Sequence, residues 1–234
     1  MKPTAKEKII TALDFDTLDE ARRLLDELAG EAIWVKIGLQ LYSRAGREAV
    51  ELARERGFKV FLDLKFHDIP NTVHEAVRSA AALGVQMTTL HASGGRAMMR
   101  EAVRAAEGTD LVPLAVTVLT SLGAEDLHHS GVLHTPGEQV AILAGLAKES
   151  GVRALVCSAL EAAMLRKEFG NHFLLVTPGI RRAADAVGDQ KRVITPADAI
   201  RNGADYLVVG RPITGAESPR AAFRSFVEEV ASAV

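Results

Sequence analysis

Eight short apolar runs, each paired with a stretch of helical spacing, recur along the 234 residues of the chain. They fall at Lys8 to Phe15, Ala32 to Ile37, Val60 to Lys65, Val85 to His91, Leu111 to Val118, Ala154 to Cys157, His172 to Thr177 and Tyr206 to Val209. Between them lie helical patterns. Thr17 caps the first, whose Leu18, Ala21, Leu24, Leu25 and Leu28 share one face. Others end near Arg56 and Leu83, start at Ser93-Gly94-Gly95, or span Pro136 to Glu149, Pro196 to Asn202 and Ser218 to about Ala231. Short, almost wholly apolar strands suit a parallel sheet covered on both faces. Eight strand-helix units in a chain of this length imply a closed barrel more than an open sheet, so the expected fold is α/β, a TIM (β/α)8 barrel. With 48% hydrophobic residues the chain can bury a sizeable core. No repeat, linker or low-complexity segment divides it, and a single domain over residues 1–234 is expected.

Charge and cysteine content narrow the function classes. The formal net charge is -2 and the pI about 6.4, which gives no electrostatic footprint for a nucleic-acid partner. Cys157 is the one cysteine, so no disulfide framework exists and a reducing compartment is expected. It follows the apolar run Ala154-Leu155-Val156, which suits packing better than nucleophilic catalysis. No signal-peptide pattern opens the sequence and no apolar run approaches the roughly 18 residues of a membrane span. A soluble, cytoplasmic protein with no membrane partner is expected.

The third run carries the chemistry. In Phe61-Leu-Asp-Leu-Lys-Phe-His-Asp-Ile-Pro-Asn-Thr72, strand alternation turns Asp63 and Lys65 toward the same face. Pro70, Asn71 and Thr72 then open a helix, and Asp68 sits in the intervening turn. An acid, a base and a second acid at a strand end fit an ion-paired strand terminus with Asp68 as helix cap; they also fit a reactive rim. The neighbouring strands favour the rim. Asp14 follows strand one and Lys36 ends strand two, and consecutive strands lie about 4.8 Å apart. In a barrel of this kind the site is at the carboxyl ends of the strands, where Asp14, Lys36, Asp63 and Lys65 must crowd together.

The opposite sector is suited to phosphate. Strand eight runs into Gly210-Arg211, and strand seven into Thr177-Pro-Gly-Ile-Arg181 and a loop reaching Gly188-Asp-Gln190. Loops after strands seven and eight are the common phosphate position in this fold. Ser93-Gly94-Gly95-Arg96 lacks P-loop spacing and reads as a tight strand-helix turn. The seven histidines follow no zinc-ligand pattern, and Lys36 and Lys65 stand where a cation would sit, so no metal is expected.

The run Asp63-Leu-Lys65-Phe-His-Asp68-Ile-Pro-Asn-Thr72 resembles the signature of the orotidine 5′-phosphate decarboxylase family. Ala12-Leu-Asp14, Lys36, Val116-Thr-Val-Leu-Thr120-Ser121, Thr177-Pro-Gly-Ile-Arg181, Gly188-Asp-Gln190 and Val209-Gly210-Arg211 follow in the family's order, so the resemblance covers essentially the whole chain. The Asp-x-Lys-x-x-Asp core alone also fits relatives acting on sugar phosphates; the Ile-Pro-Asn-Thr continuation and the Gly-Asp-Gln run make it specific. Arg182 is a departure, standing where family members often have proline, and bears on loop stiffness.

The resemblance implies cofactor-free conversion of orotidine 5′-monophosphate to uridine 5′-monophosphate and carbon dioxide. It implies a homodimer in which Asp68 and Thr72 reach the partner's site, so that Lys36, Asp63, Lys65 and the partner's Asp68 form an alternating charge network. Lys65 would protonate C6. Asp14 and Lys36 would engage ribose hydroxyls, Thr120 and Ser121 the pyrimidine edge, and Arg181, Gln190, Gly210 and Arg211 the phosphate. Two other readings stay open at this point: a metal-dependent keto-sugar-phosphate decarboxylase or aldolase on the same barrel, and a non-catalytic nucleotide-sensing barrel.

Overall fold

In a computed structural model, which describes residues 3–182 and 194–233, the eight apolar runs become eight parallel strands. These are β1 (Ile9–Ala12), β2 (Trp34–Gly38), β3 (Lys59–Phe66), β4 (Met87–His91), β5 (Val112–Val116), β6 (Ala154–Val156), β7 (Leu174–Thr177) and β8 (Tyr206–Val209). Each pairs with its sequence neighbours, and Ile10 of β1 lies opposite Val208 of β8, so the sheet closes into a barrel. The helices are α1 (Leu18–Leu28), α2 (Leu39–Ala45), α3 (Arg47–Glu55), α4 (Pro70–Ala82), α5 (Gly95–Ala106), α6 (Ala124–His129), α7 (Pro136–Glu149), α8 (Ala159–Phe169), α9 (Pro196–Arg201), α10 (Arg211–Thr214) and α11 (Pro219–Ala231). The expected TIM (β/α)8 barrel is the observed architecture.

Strand alternation produces two cores. Ile10, Ala12, Trp34, Phe61, Met87, Leu114, Ala154, Val176 and Val208 pack together as the filling of the barrel. Their neighbours in sequence, such as Ile9, Val35, Val60 and Leu207, face outward against helix residues including Leu24, Leu25, Leu28 and Val77. Local chemistry fixes where helices begin. The Thr17 hydroxyl accepts the Glu20 N–H while the Glu20 carboxylate accepts the Thr17 N–H, and the same reciprocal cap recurs at Thr135 and Glu138. Loss of such a cap costs about 1 kcal/mol.

Several boundaries differ from the sequence expectation. β1 is shorter than the run Lys8 to Phe15: Lys8 closes a 3₁₀ turn, and beyond Ala12 only the Leu13 N–H still pairs, with the Lys36 carbonyl at 2.8 Å. Asp14 is thereby freed from the sheet. The helix after β2 is two helices, broken at Gly46, whose φ of 55° is open to glycine at little cost. The connection from Ser121 to Thr135 contains α6, started by the Gly123 N–H donating to Asp126 at 2.7 Å.

Candidate active site

A cavity of about 580 Å³ opens over the carboxyl ends of the strands. Inner-core residues Ala12, Phe61 and Val208 reach its base, and its polar wall carries Asp14, Lys36, Asp63, Lys65, Thr120, Ser121, Arg181, Gly210 and Arg211. Nine of the twelve site residues anticipated from sequence thus line one space.

On one side the charges alternate. Lys36 Nζ lies 3.1 Å from Asp14 Oδ1 and 3.6 Å from Asp63 Oδ2, and Lys65 Nζ lies 2.9 Å from Asp63 Oδ1. Lys36 and Asp63 are almost enclosed, with side chains 11% and 13% exposed, whereas half of Asp14 is open to the cavity and solvent. Burial acts most strongly on Asp63 and opposes its ionisation. The two ammoniums, with hydrogen bonds from Lys65 and Thr89, outweigh it and hold the carboxyl below its usual range. A carboxylate gripped by two cations is a fixed, pre-oriented field at the mouth of a cavity.

The backbone delivers Lys65 by an irregularity. β3 pairs with β4 through Leu62↔Thr88 and resumes at Phe66↔Leu90, so three β3 residues face one on β4. Within this bulge Lys65 takes φ 52°, the one positive φ at a non-glycine position among the described residues. Such a conformation costs about 1–3 kcal/mol and persists only where surroundings enforce it. Next to it the rings of His67 and His91 lie 5.4 Å apart. Burial, then His67 and Lys65, push His91 below the usual imidazole range.

In the sector expected from sequence to take phosphate, Arg181 is buried against the cavity and donates to the Ile180 carbonyl at 2.8 Å. The segment leaving β7 is pinned by a parallel bridge between Ile180 and Ile194. Arg182, the departure noted in the sequence, lies over the Phe226 ring at 4.8 Å and donates to Ser225 at 3.3 Å, so it ties the loop base to α11. Arg211 opens α10 immediately after Gly210. A Cβ at Gly210 would meet Ala12 and Asp14 at 3.6 and 3.9 Å, ordinary contacts, so no clash within the chain calls for a glycine there. Gln190, with Gly188, lies outside the described residues.

Asp68 and Thr72 do not line the cavity of their own chain. Both are exposed, Thr72 in the first turn of α4 and Asp68 in the turn before it, where its carboxylate accepts the Ile69 N–H at 2.7 Å. Asp68 does not cap α4, which begins at Pro70 after Ile69 without a side-chain cap. Cys157 is buried in the cavity wall. Among the described residues no three His, Cys, Asp or Glu side chains gather as metal ligands, and no helix is long and apolar enough to cross a membrane.

Residues 7–226 match the profile of the Orotidine 5'-phosphate decarboxylase / HUMPS family. The chain belongs to that family. Among curated members, the orotidine 5'-phosphate decarboxylase of Actinobacillus succinogenes is 50% identical, with 96% of this chain and 98% of that protein aligned. That of Halorhodospira halophila is also 50% identical, over 97% of each. Both names describe a carboxy-lyase. The crystal structure of orotidine 5'-phosphate decarboxylase from Lactobacillus acidophilus superposes with a TM-score of 0.85 at 37% identity, covering 96% of this chain and 99% of the other. An uncharacterized conserved protein from Geobacillus kaustophilus gives 0.83 at 38% identity, covering 95% and 99%.

Two residues of this family member escaped the sequence reading. Gln40, on α2, lines the cavity and donates to Asp16 at 3.1 Å. Thr89 is fully buried and hydrogen-bonds Asp63. The doubled threonine Thr88-Thr89, in a strand otherwise made of apolar residues and a terminal histidine, was the available signal.

Proposed function

We propose that this protein decarboxylates orotidine 5′-monophosphate to uridine 5′-monophosphate and carbon dioxide without a metal or organic cofactor. This would serve the last step of pyrimidine nucleotide synthesis in the cytoplasm. The observation that carries the reading is the grip of Lys65 and Lys36 on Asp63 at the cavity mouth. Losing carbon dioxide from C6 leaves an electron pair in the plane of the pyrimidine, where the ring carbonyls cannot delocalise it. A fixed cation beside C6 stabilises that charge as it develops. At an effective dielectric near 20, unit charges about 4 Å apart interact by roughly 4 kcal/mol, enough to matter to a barrier. Lys65 is that cation, and it delivers the proton to C6. Asp63 holds the ammonium in position and repels the substrate carboxylate until it departs as neutral carbon dioxide.

The remaining residues bind. Asp14 and Lys36 engage the ribose hydroxyls, Thr120 and Ser121 read the pyrimidine edge, and Arg181, Gln190, Gly210 and Arg211 hold the phosphate. Phosphate binding far from C6 supplies energy for closing the site around the reacting ring. Asp68 and Thr72, exposed and outside their own cavity, are assigned to the partner's site in a homodimer, where Asp68 extends the alternating series beyond Lys65. A divalent cation at Asp63 would meet two ammoniums within 4 Å, which weighs against the metal-dependent sugar-phosphate reading. The complete Lys-Asp series weighs against a purely sensing barrel.

The test is loss of orotidine 5′-monophosphate absorbance on adding purified, exhaustively chelated and dialysed protein. Full turnover is expected. Activity that vanishes on chelation and returns with Mg²⁺ or Zn²⁺, or no turnover under any condition, would overturn the proposal.

A further inference from the structure

We infer that Thr89 is a positioning residue for Lys65, holding its left-handed backbone so that the ammonium stays on Asp63. Thr89 is the single β4 residue between the Leu62↔Thr88 and Phe66↔Leu90 contacts, facing the three bulged residues Asp63, Leu64 and Lys65. A bulge deprives the strand of ladder partners, and a buried N–H without an acceptor is costly. Here one hydroxyl serves both ends of the bulge. Thr89 Oγ1 accepts the Lys65 N–H at 2.8 Å and donates to Asp63 Oδ1 at 2.9 Å. That same Asp63 oxygen receives Lys65 Nζ at 2.9 Å. The hydroxyl, the carboxylate and the lysine therefore form a closed ring in which the backbone and the tip of Lys65 are both fixed through Thr89. Preceding it, Thr88 donates to the Leu62 carbonyl at 3.0 Å and secures the strand where the bulge begins.

No hydrocarbon side chain can substitute. Valine has the shape of threonine but offers neither donor nor acceptor, so Thr89→Val leaves the part-buried Lys65 N–H without its acceptor and Asp63 one hydrogen bond short. Thr89→Ser keeps the hydroxyl. Thr89 touches neither sugar nor phosphate sites, so its loss is felt in the chemical step and not in ligand affinity.

The inference rests on the proposed decarboxylase reading, and wild-type turnover of orotidine 5′-monophosphate is measured first; failure there overturns that reading and this one with it. Given wild-type turnover, Thr89→Val should lose at least about tenfold in kcat, since misplacement by about 1 Å costs up to roughly a hundredfold. Its KM and its affinity for uridine 5′-monophosphate should stay within about threefold of wild type. Thr89→Ser should recover most of the lost kcat. Should Thr89→Val fail to fold, Thr89→Ala, which also lacks any donor or acceptor, takes its place with the same expectation for kcat. Wild-type kcat in a folded hydroxyl-less variant, a loss equal in Thr89→Ser and Thr89→Val, or a loss confined to KM would each overturn the inference while leaving the decarboxylase reading intact.

Discussion

The Lys36 ammonium stands over the α-carbon of Gly38: a Cβ at residue 38 would lie 2.7 Å from Nζ and 3.3 Å from Asp14 Oδ1. The glycine, at φ -99°, is there for space and not for backbone freedom. Gly38→Ala can be accommodated only by pushing Nζ, the mobile end of a long side chain, off Asp14. Since the backbone suits alanine, the unfolded chain loses entropy and stability should hold or rise by up to about 1 kcal/mol. Catalysis should move the other way, with kcat/KM down by about tenfold. Urea midpoints and steady-state kinetics on the same preparation check both; unchanged kcat/KM would show that the position of Lys36 is not used.

Lys65→Ala removes the proposed cation and the proton donor together. Turnover should fall by about 10³-fold or more, with uridine 5′-monophosphate still bound through its phosphate. A variant with near-normal kcat would mean that another group protonates C6.

Arg211→Ala should weaken uridine 5′-monophosphate by roughly tenfold to a hundredfold, the worth of a charged hydrogen bond. Uridine, without the phosphate, should bind the variant and the wild type alike. Equal weakening of both, measured by competitive inhibition, would remove Arg211 from the phosphate site.

Asp63 links the site to acid stability. Its folded pKa lies below that of the unfolded chain, about 3.9, so at low pH the unfolded state binds more protons. The stabilisation is therefore fully present above about pH 5 and is lost as pH falls through 4 toward the folded value. Denaturation of wild type and Asp63→Asn from pH 7 to pH 3 should show the wild-type advantage shrinking below about pH 4. A constant difference across that range would mean that Asp63 is not held ionised by its two lysines.

The proposed shared site predicts complementation. Homodimers of Lys65→Ala and of Asp68→Ala should both be nearly inactive. In a mixed dimer one site carries both lesions and the other neither. Random exchange makes about half the dimers mixed, so activity should return to roughly a quarter of wild type on co-expression. No recovery in mixed dimers verified by mass spectrometry would assign Asp68 to its own subunit.

The barrel was legible because its signal is redundant: eight apolar runs, each backed by a helix, leave few other ways to bury both faces of the sheet. The charged rim was legible because a strand ending in Asp63-Leu-Lys65 and another in Lys36 must meet if the barrel closes. What alternation could not supply was the bulge. Period-two reasoning turns Asp63 and Lys65 to one face, as observed, yet it assumes an unbroken ladder and misses the positive φ at Lys65 and the hydroxyl of Thr89. These depend on a partner strand about two dozen residues away. Short helices such as α6 and α10 escaped for a different reason: four to six residues are too few to develop periodicity.

The pairing of β1 with β8 has a consequence for synthesis. Ile10 waits for Val208, so through most of elongation β1 carries an open edge, and every later strand is an edge in turn until its successor emerges. The residues that close the ring are followed directly by Gly210 and Arg211. A ribosome-bound chain short of Val209 consequently has neither a sealed sheet nor one wall of its cavity. Such a chain should expose strand edges to holdase chaperones and lack the proposed phosphate contacts of Gly210 and Arg211, and both properties should change together once β8 can pair with β1.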